Sequence, residues 1–107
     1  MVEEKIDLYS SFVNDYRQSL ITLNYLIRGG SNKIKWEESV RANVLQMKKD
    51  LPQVNRYFNS GIILESRLNY IEHILAKLND PKYSLEERIS DSEEMVKIIN
   101  SNGLRKI

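Results

Sequence analysis

A seam of apolar residues in the first quarter of the chain constrains its fold more than any other feature. The seam advances in alternating steps of four and three residues: Val2, Ile6, Tyr9, Val13, Tyr16, Leu20, Leu23 and Ile27. Only an α-helix brings positions with this spacing onto one stripe. Leu8, Phe12, Ile21 and Leu26 widen the apolar face, which is typical of a bundle helix rather than a two-stranded zipper. We predict a helix over residues 3–28, ended by a glycine C-cap in the Gly29-Gly30 loop.

Three further segments carry the same periodicity. They predict helices over residues 34–58, 62–79 and 85–100, followed by a frayed tail at 101–107. The stripe of the second helix is Val40, Val44, Met47, Leu51, Val54 and Phe58, and that of the fourth is Leu85, Ile89, Ser92, Val96 and Ile99. Pro52 lies inside the second stripe and predicts either a kink in a nearly continuous helix or a new helix capped by Asp50. Because the stripe keeps its phase across the proline, we favour the kink. The spacing of apolar residues is also compatible with a second and third helix that form one long bent helix, here called the bent rod.

The segment order predicts an all-α fold. No segment alternates apolar and polar residues for long enough to form a β-strand, and a chain of 107 residues is the size of one domain. Short loops between amphipathic helices favour neighbours that turn back on each other. The sequence therefore predicts a single antiparallel three- or four-helix bundle, with its second helix kinked near Pro52.

The sequence lacks the residue patterns that carry common chemistry. There is no cysteine, which excludes disulfides and thiol catalysis. The one histidine, His73, has no good metal ligand one turn away, and the adjacent carboxylates Glu86 and Glu87 point about 100° apart on a helix. Glu87 instead completes a capping box with Ser84. We predict a protein that is not an enzyme and that binds no metal or cofactor.

Composition bears on where the protein acts. The net charge is +1, and the longest apolar run has three residues, so we expect no membrane association. The start of the chain is acidic and does not resemble a signal peptide, which predicts a cytoplasmic location. Frequent Ile, Lys, Asn and Tyr are typical of AT-rich genomes and suggest a bacterial or phage source.

Charge is unevenly distributed along the chain. Residues 1–27 carry two basic and four acidic side chains, whereas residues 28–56 carry seven basic and three acidic ones. Such a basic face either is a solvated helix surface or contacts nucleic acid phosphates or an acidic protein. The candidate contact residues are Lys33, Lys35, Arg41, Lys48, Lys49 and Arg56.

Aromatic residues suggest where a protein partner would bind. Tyrosines on a seam either lie at the core boundary with the hydroxyl in water or belong to an interface. We predict an interface formed by Tyr9, Phe12, Tyr16 and Trp36. The seams also exceed what so short a chain can bury, which favours a homodimer.

The absence of a catalytic constellation decides between classes of function. We expect a non-catalytic protein–protein interaction module: a small regulator, inhibitor, immunity or anti-defence factor, or assembly factor. The alternative is a nucleic-acid-binding regulator that uses the basic face of the second helix.

Overall fold

The computed structural model describes the backbone of residues 2–58 and 61–101 and the side chains of residues 8–56 and 65–100. In this part of the chain there are four α-helices and no β-strand: α1 (Val2–Ile27), α2 (Lys33–Phe58), α3 (Gly61–Leu78) and α4 (Leu85–Ser101). The all-α prediction is confirmed. The turn at residues 59 and 60 and the tail at 102–107 lie outside the described residues.

Local capping explains where α1 ends and α4 begins. Gly29 adopts a positive φ of 88°, and its N–H donates to the carbonyl of Leu26 at 3.0 Å. This is the predicted left-handed C-cap, at a position where a side chain would be strained. At α4, the Ser84 Oγ accepts a hydrogen bond from the Glu87 N–H at 3.1 Å, which confirms Ser84 as the N-cap.

Helix α2 continues through Pro52. The alternative of a new helix capped by Asp50 is therefore wrong. Asp50 lies inside α2, is buried and accepts a hydrogen bond from Gln46 Nε2 at 3.1 Å. The bent-rod alternative is also wrong, because α2 and α3 are separate helices that pack against each other.

Helix α1 is the centre of the fold. It contacts α2, α3 and α4, and α2 also contacts α3. Most described members of the predicted stripes are buried, as expected for a shared core. The core consists of Phe12, Tyr16, Leu20, Leu23, Leu26, Ile27, Val40, Val44, Met47, Val54, Leu68, Ile71, Ile74, Leu75, Leu78, Tyr83 and Met95.

The beginning of α4 departs from its predicted stripe. Leu85 and Ile89 are exposed, whereas Ser92 is buried. Arg28, the residue that follows α1, donates from Nε to Ser92 Oγ at 3.1 Å. The first turns of α4 therefore lie at the end of α1, where Leu85 and Ile89 adjoin Ile27 but stay largely uncovered.

Two carboxylates approach each other where α1 packs on α2. The pKa of the Asp15 carboxyl is raised, first because it is partly desolvated and second because the Asp50 charge is close. In the folded chain this carboxyl therefore keeps its proton to a higher pH than in the unfolded chain.

Asp15→Asn is expected to raise the free energy of unfolding at pH 7 and to leave it nearly unchanged at pH 3. A raised carboxyl pKa means that stability is lost as the pH rises through that pKa, and a neutral amide avoids this loss. Urea denaturation at both pH values measures the difference, with the exposed Glu38→Gln as control. An equal gain at both pH values would show that the carboxylate charge is not the cause.

Candidate functional site

One exposed face of α2 combines apolar and basic side chains. Its members fall within about 80° of one another around the helix axis. We call this the outer α2 face: Ile34, Arg41, Leu45, Lys49 and Arg56. Ile34 is 76% exposed and Leu45 is 62% exposed, although both are large aliphatic side chains. The face therefore offers apolar contact area surrounded by positive charge.

A groove between α2 and α3 adjoins this face. Val44 and Leu75 are buried and form its floor, while Leu45 and the small Ala76 stand beside them. Arg41, Lys48 and Glu72 provide its charged groups, and its volume is about 380 Å³. We call this the α2–α3 groove.

The six predicted basic contact residues have different surroundings. The Lys33 Nζ donates to the carbonyl of Leu78 at 3.1 Å and lies 3.8 Å from Glu37 Oε1. The Lys48 Nζ lies 2.9 Å from Glu72 Oε1. These two lysines join α2 to α3, so part of their charge serves the fold.

The other four predicted cations are exposed. The Lys35 Nζ lies 5.2 Å from the centroid of the Trp36 ring. Among the described side chains, Arg41, Lys49 and Arg56 form no ion pair. The structure thus brings Arg41 and Lys48 together in the groove and leaves Lys49 and Arg56 on the adjoining surface.

The four predicted aromatic interface residues are not all accessible. Phe12 is 0% exposed and Tyr16 is 4% exposed, so both belong to the core, whereas Tyr9 and Trp36 are half-buried. Burial raises the pKa of the Tyr16 phenol, and a hydrogen bond from Arg67 partly opposes this rise. A partner that approaches the folded chain can contact only Tyr9 and Trp36 of this set.

The loop between α1 and α2 is held by Tyr25. Its hydroxyl accepts a hydrogen bond from the Ser31 N–H at 3.0 Å, and its ring meets Trp36 edge-on at 6.5 Å. A Cβ on Gly30 would clash with the Tyr25 ring, so any other residue at this position would displace the ring. The loop therefore fixes the beginning of α2 on α1.

Two polar clusters connect α4 to the rest of the bundle. Ser92 Oγ accepts from Arg28 and donates to Asn24 Oδ1 at 2.5 Å. The other cluster centres on Asp91, which contacts Lys77 and Tyr83. His73 is exposed, and no group of three or more metal-ligating side chains occurs in the described part of the chain.

Sequence reasoning missed Ile34, Leu45 and the α3 wall of the groove. A signal for the first two was present, since they lie eleven residues apart and three helical turns bring them to the same side. Both fall outside the apolar stripe of α2, and Arg41 stands between them. Glu72, Leu75 and Ala76 could not be connected to this face without the packing of α3 on α2.

Comparisons with known proteins add no functional information. No protein-family model matches the chain, and neither a curated protein nor a solved structure shows significant similarity to it. In the described ranges, no helix is both long and apolar enough to cross a membrane.

Proposed function

We propose that the chain is a non-catalytic protein-binding module, of the kind used as a small regulator, inhibitor, immunity or anti-defence factor, or assembly factor. The supporting observation is the exposure of Leu45 at the rim of the α2–α3 groove, with Ile34 exposed three helical turns away on the same face of α2. A single exposed leucine is ordinary on a protein surface, whereas an apolar patch with a charged rim is typical of an interface.

A nucleic-acid-binding regulator is the second candidate. Arg41, Lys49 and Arg56 favour it, because exposed cations on one helix face suit phosphate contacts. Against it, Leu45 lies among these cations, and Lys48 is already paired with Glu72. Apolar side chains gain little against a phosphate backbone, so we favour the protein partner.

Photo-crosslinking from position 45 tests the proposed function. A benzoylphenylalanine in place of Leu45 is expected to crosslink to a protein in cells of the native host, and the same group in place of Gln18 is not. Gln18 is the control because it is exposed on α1 and belongs neither to the outer α2 face nor to the α2–α3 groove. An excess of unlabelled wild-type chain should compete with the crosslink.

Binding to duplex DNA would contradict the protein-binding proposal. Retardation of a labelled duplex of about 20 base pairs at low salt, weakening steeply as salt increases, would support the nucleic-acid alternative. If position 45 gave no crosslink and the duplex were retarded, nucleic-acid binding would replace protein binding as the proposed function.

We also infer the helix arrangement that presents this face: an antiparallel bundle with α2 bent near Pro52. The contact of Lys33 with Leu78 supports it, since it joins the beginning of α2 to the end of α3. Proline has no N–H to donate to the backbone hydrogen bonds of α2, which favours a bend at this position. Residual dipolar couplings would give the helix directions, and a straight α2 would contradict the bend.

Self-association is a separate proposal. Leu85 and Ile89 are exposed one turn apart, and Arg88 and Glu93 beside them carry opposite charges. A second copy offers the same apolar pair with complementary charges, which suits a twofold interface. Light scattering should give twice the chain mass, and Leu85→Asp should restore the monomer. A monomeric wild type at high micromolar concentration would exclude the homodimer.

A further inference from the structure

We infer that the α2–α3 groove binds an acidic, amphipathic α-helix of a partner protein. This inference rests on the proposed protein-binding function and specifies the chemistry of the partner. Three properties of the groove support it: its apolar floor, its helical walls and the sign of its charge.

The floor and walls favour a helix over an extended segment. Val44 and Leu75 give a buried apolar floor, and Ala76 leaves room for close approach. Both walls are helices whose backbone groups are paired internally, so an extended segment would find no strand edge to bond. A helix pairs its own backbone and packs its side-chain ridges into such a groove.

The charges favour an acidic occupant. Arg41 and Lys48 line the groove, and its one carboxylate, Glu72, is already 2.9 Å from the Lys48 ammonium. Lys49 and Arg56 extend the positive surface along the outer α2 face. Carboxylates flanking the apolar stripe of a partner helix would meet these cations, which aids encounter and fixes orientation.

The same charges argue against a second copy of this chain as the occupant. Two copies joined at this groove would bring Arg41 and Lys49 of one chain close to those of the other. Like charges facing each other across an interface disfavour the complex. The one carboxylate that lines the groove, Glu72, is already paired with Lys48 of the same chain, so it does not offset this repulsion.

Leu45 is the expected anchor of this complex. It is 62% exposed in the chain alone and stands at the rim of the groove. A leucine of the partner helix that covers it would also reach Val44 and Leu75. Burial of a central aliphatic side chain within a charged rim is the arrangement that concentrates binding energy in few residues.

A synthetic amphipathic helix tests the inference directly. The probe is a fluorescein-labelled peptide of about 20 residues, with leucine at heptad positions a and d and glutamate at e and g. The matched peptide carries lysine in place of glutamate. Fluorescence anisotropy at low salt is expected to give a dissociation constant at least about tenfold lower for the acidic peptide.

Variants locate the site of binding. Leu45→Asp and Arg41→Glu are each expected to weaken binding of the acidic peptide by about tenfold or more. Ile21→Asp is the matched control, because Ile21 is an exposed aliphatic residue on α1 outside the groove, and it should bind as the wild type does. Amide shifts of Val44, Leu45 and Ala76 should change during the titration.

Two outcomes would overturn the inference. One is equal binding of the acidic and basic peptides, or no binding of the acidic peptide. The other is unchanged binding by Leu45→Asp, with amide shifts that lie elsewhere. In either case, a crosslink from position 45 would still support the protein-binding function. If position 45 gave no crosslink and the chain retarded the labelled duplex, both the acidic-helix inference and the protein-binding function would be wrong.

Discussion

Phe12→Ala is expected to lower the free energy of unfolding by about 3–5 kcal/mol. Phe12 is 0% exposed and lies on α1, which contacts the other three helices. Removing its ring takes away apolar contacts and leaves a cavity that close-packed neighbours fill only in part. Urea denaturation followed by circular dichroism at 222 nm measures the loss.

Ile21→Ala is the matched control for this prediction. Ile21 is on the same helix but is 42% exposed, so its truncation should lower stability by less than about 1 kcal/mol. If Phe12→Ala kept nearly wild-type stability and instead weakened partner binding, Phe12 would be an interface residue, as its sequence pattern suggested. The two variants thus separate a core role from a binding role.

Phe12 also shows why the sequence predicts helices better than surfaces. Periodicity depends on neighbours within one helix, so the α1 stripe from Leu20 to Ile27 could be predicted to be buried and is. Which flanking residues are buried depends on where the other helices lie. Phe12 and Leu26 are covered, whereas Ile21 is not, although all three flank the same seam.

The basic face illustrates a second limit. The sequence shows the spacing of Arg41, Lys48 and Lys49 along α2. It does not indicate which groups the lysines contact. Lys48 pairs with Glu72 and Lys33 with the Leu78 carbonyl, both on α3. Contacts between helices distant in sequence depend on the packing, and they decide which cations remain available to a partner.

The beginning of α4 shows a third limit. Leu85 and Ile89 continue the spacing of Ser92 and Val96, so the sequence predicted one buried stripe. Periodicity carries no information about where a neighbouring helix ends. Since α1 ends at Ile27, the first turns of α4 lie at its end, and their aliphatic side chains are exposed.

Asp91→Ala is expected to lower the free energy of unfolding by about 2 kcal/mol. The Asp91 Oδ2 accepts a hydrogen bond from the Tyr83 hydroxyl at 2.6 Å and lies 3.3 Å from the Lys77 Nζ. Tyr83 is buried, and burial, the hydrogen bond to Asp91 and the Asp91 charge together raise the pKa of its phenol. Truncation at Asp91 leaves that hydroxyl buried without its acceptor, which is the main cause of the loss.

Tyr83→Phe separates the hydrogen bond from the ion pair with Lys77. If the hydroxyl–carboxylate bond dominates, Tyr83→Phe and Asp91→Ala combined should destabilise by clearly less than the sum of the two single variants, because neither leaves the other group unpaired. Glu86→Ala, an exposed carboxylate on the same helix, should change stability by less than about 0.5 kcal/mol. Additive losses in the double variant would instead mean that Asp91 stabilises the fold through the Lys77 ammonium, 3.3 Å from its carboxylate, and not through the Tyr83 hydroxyl.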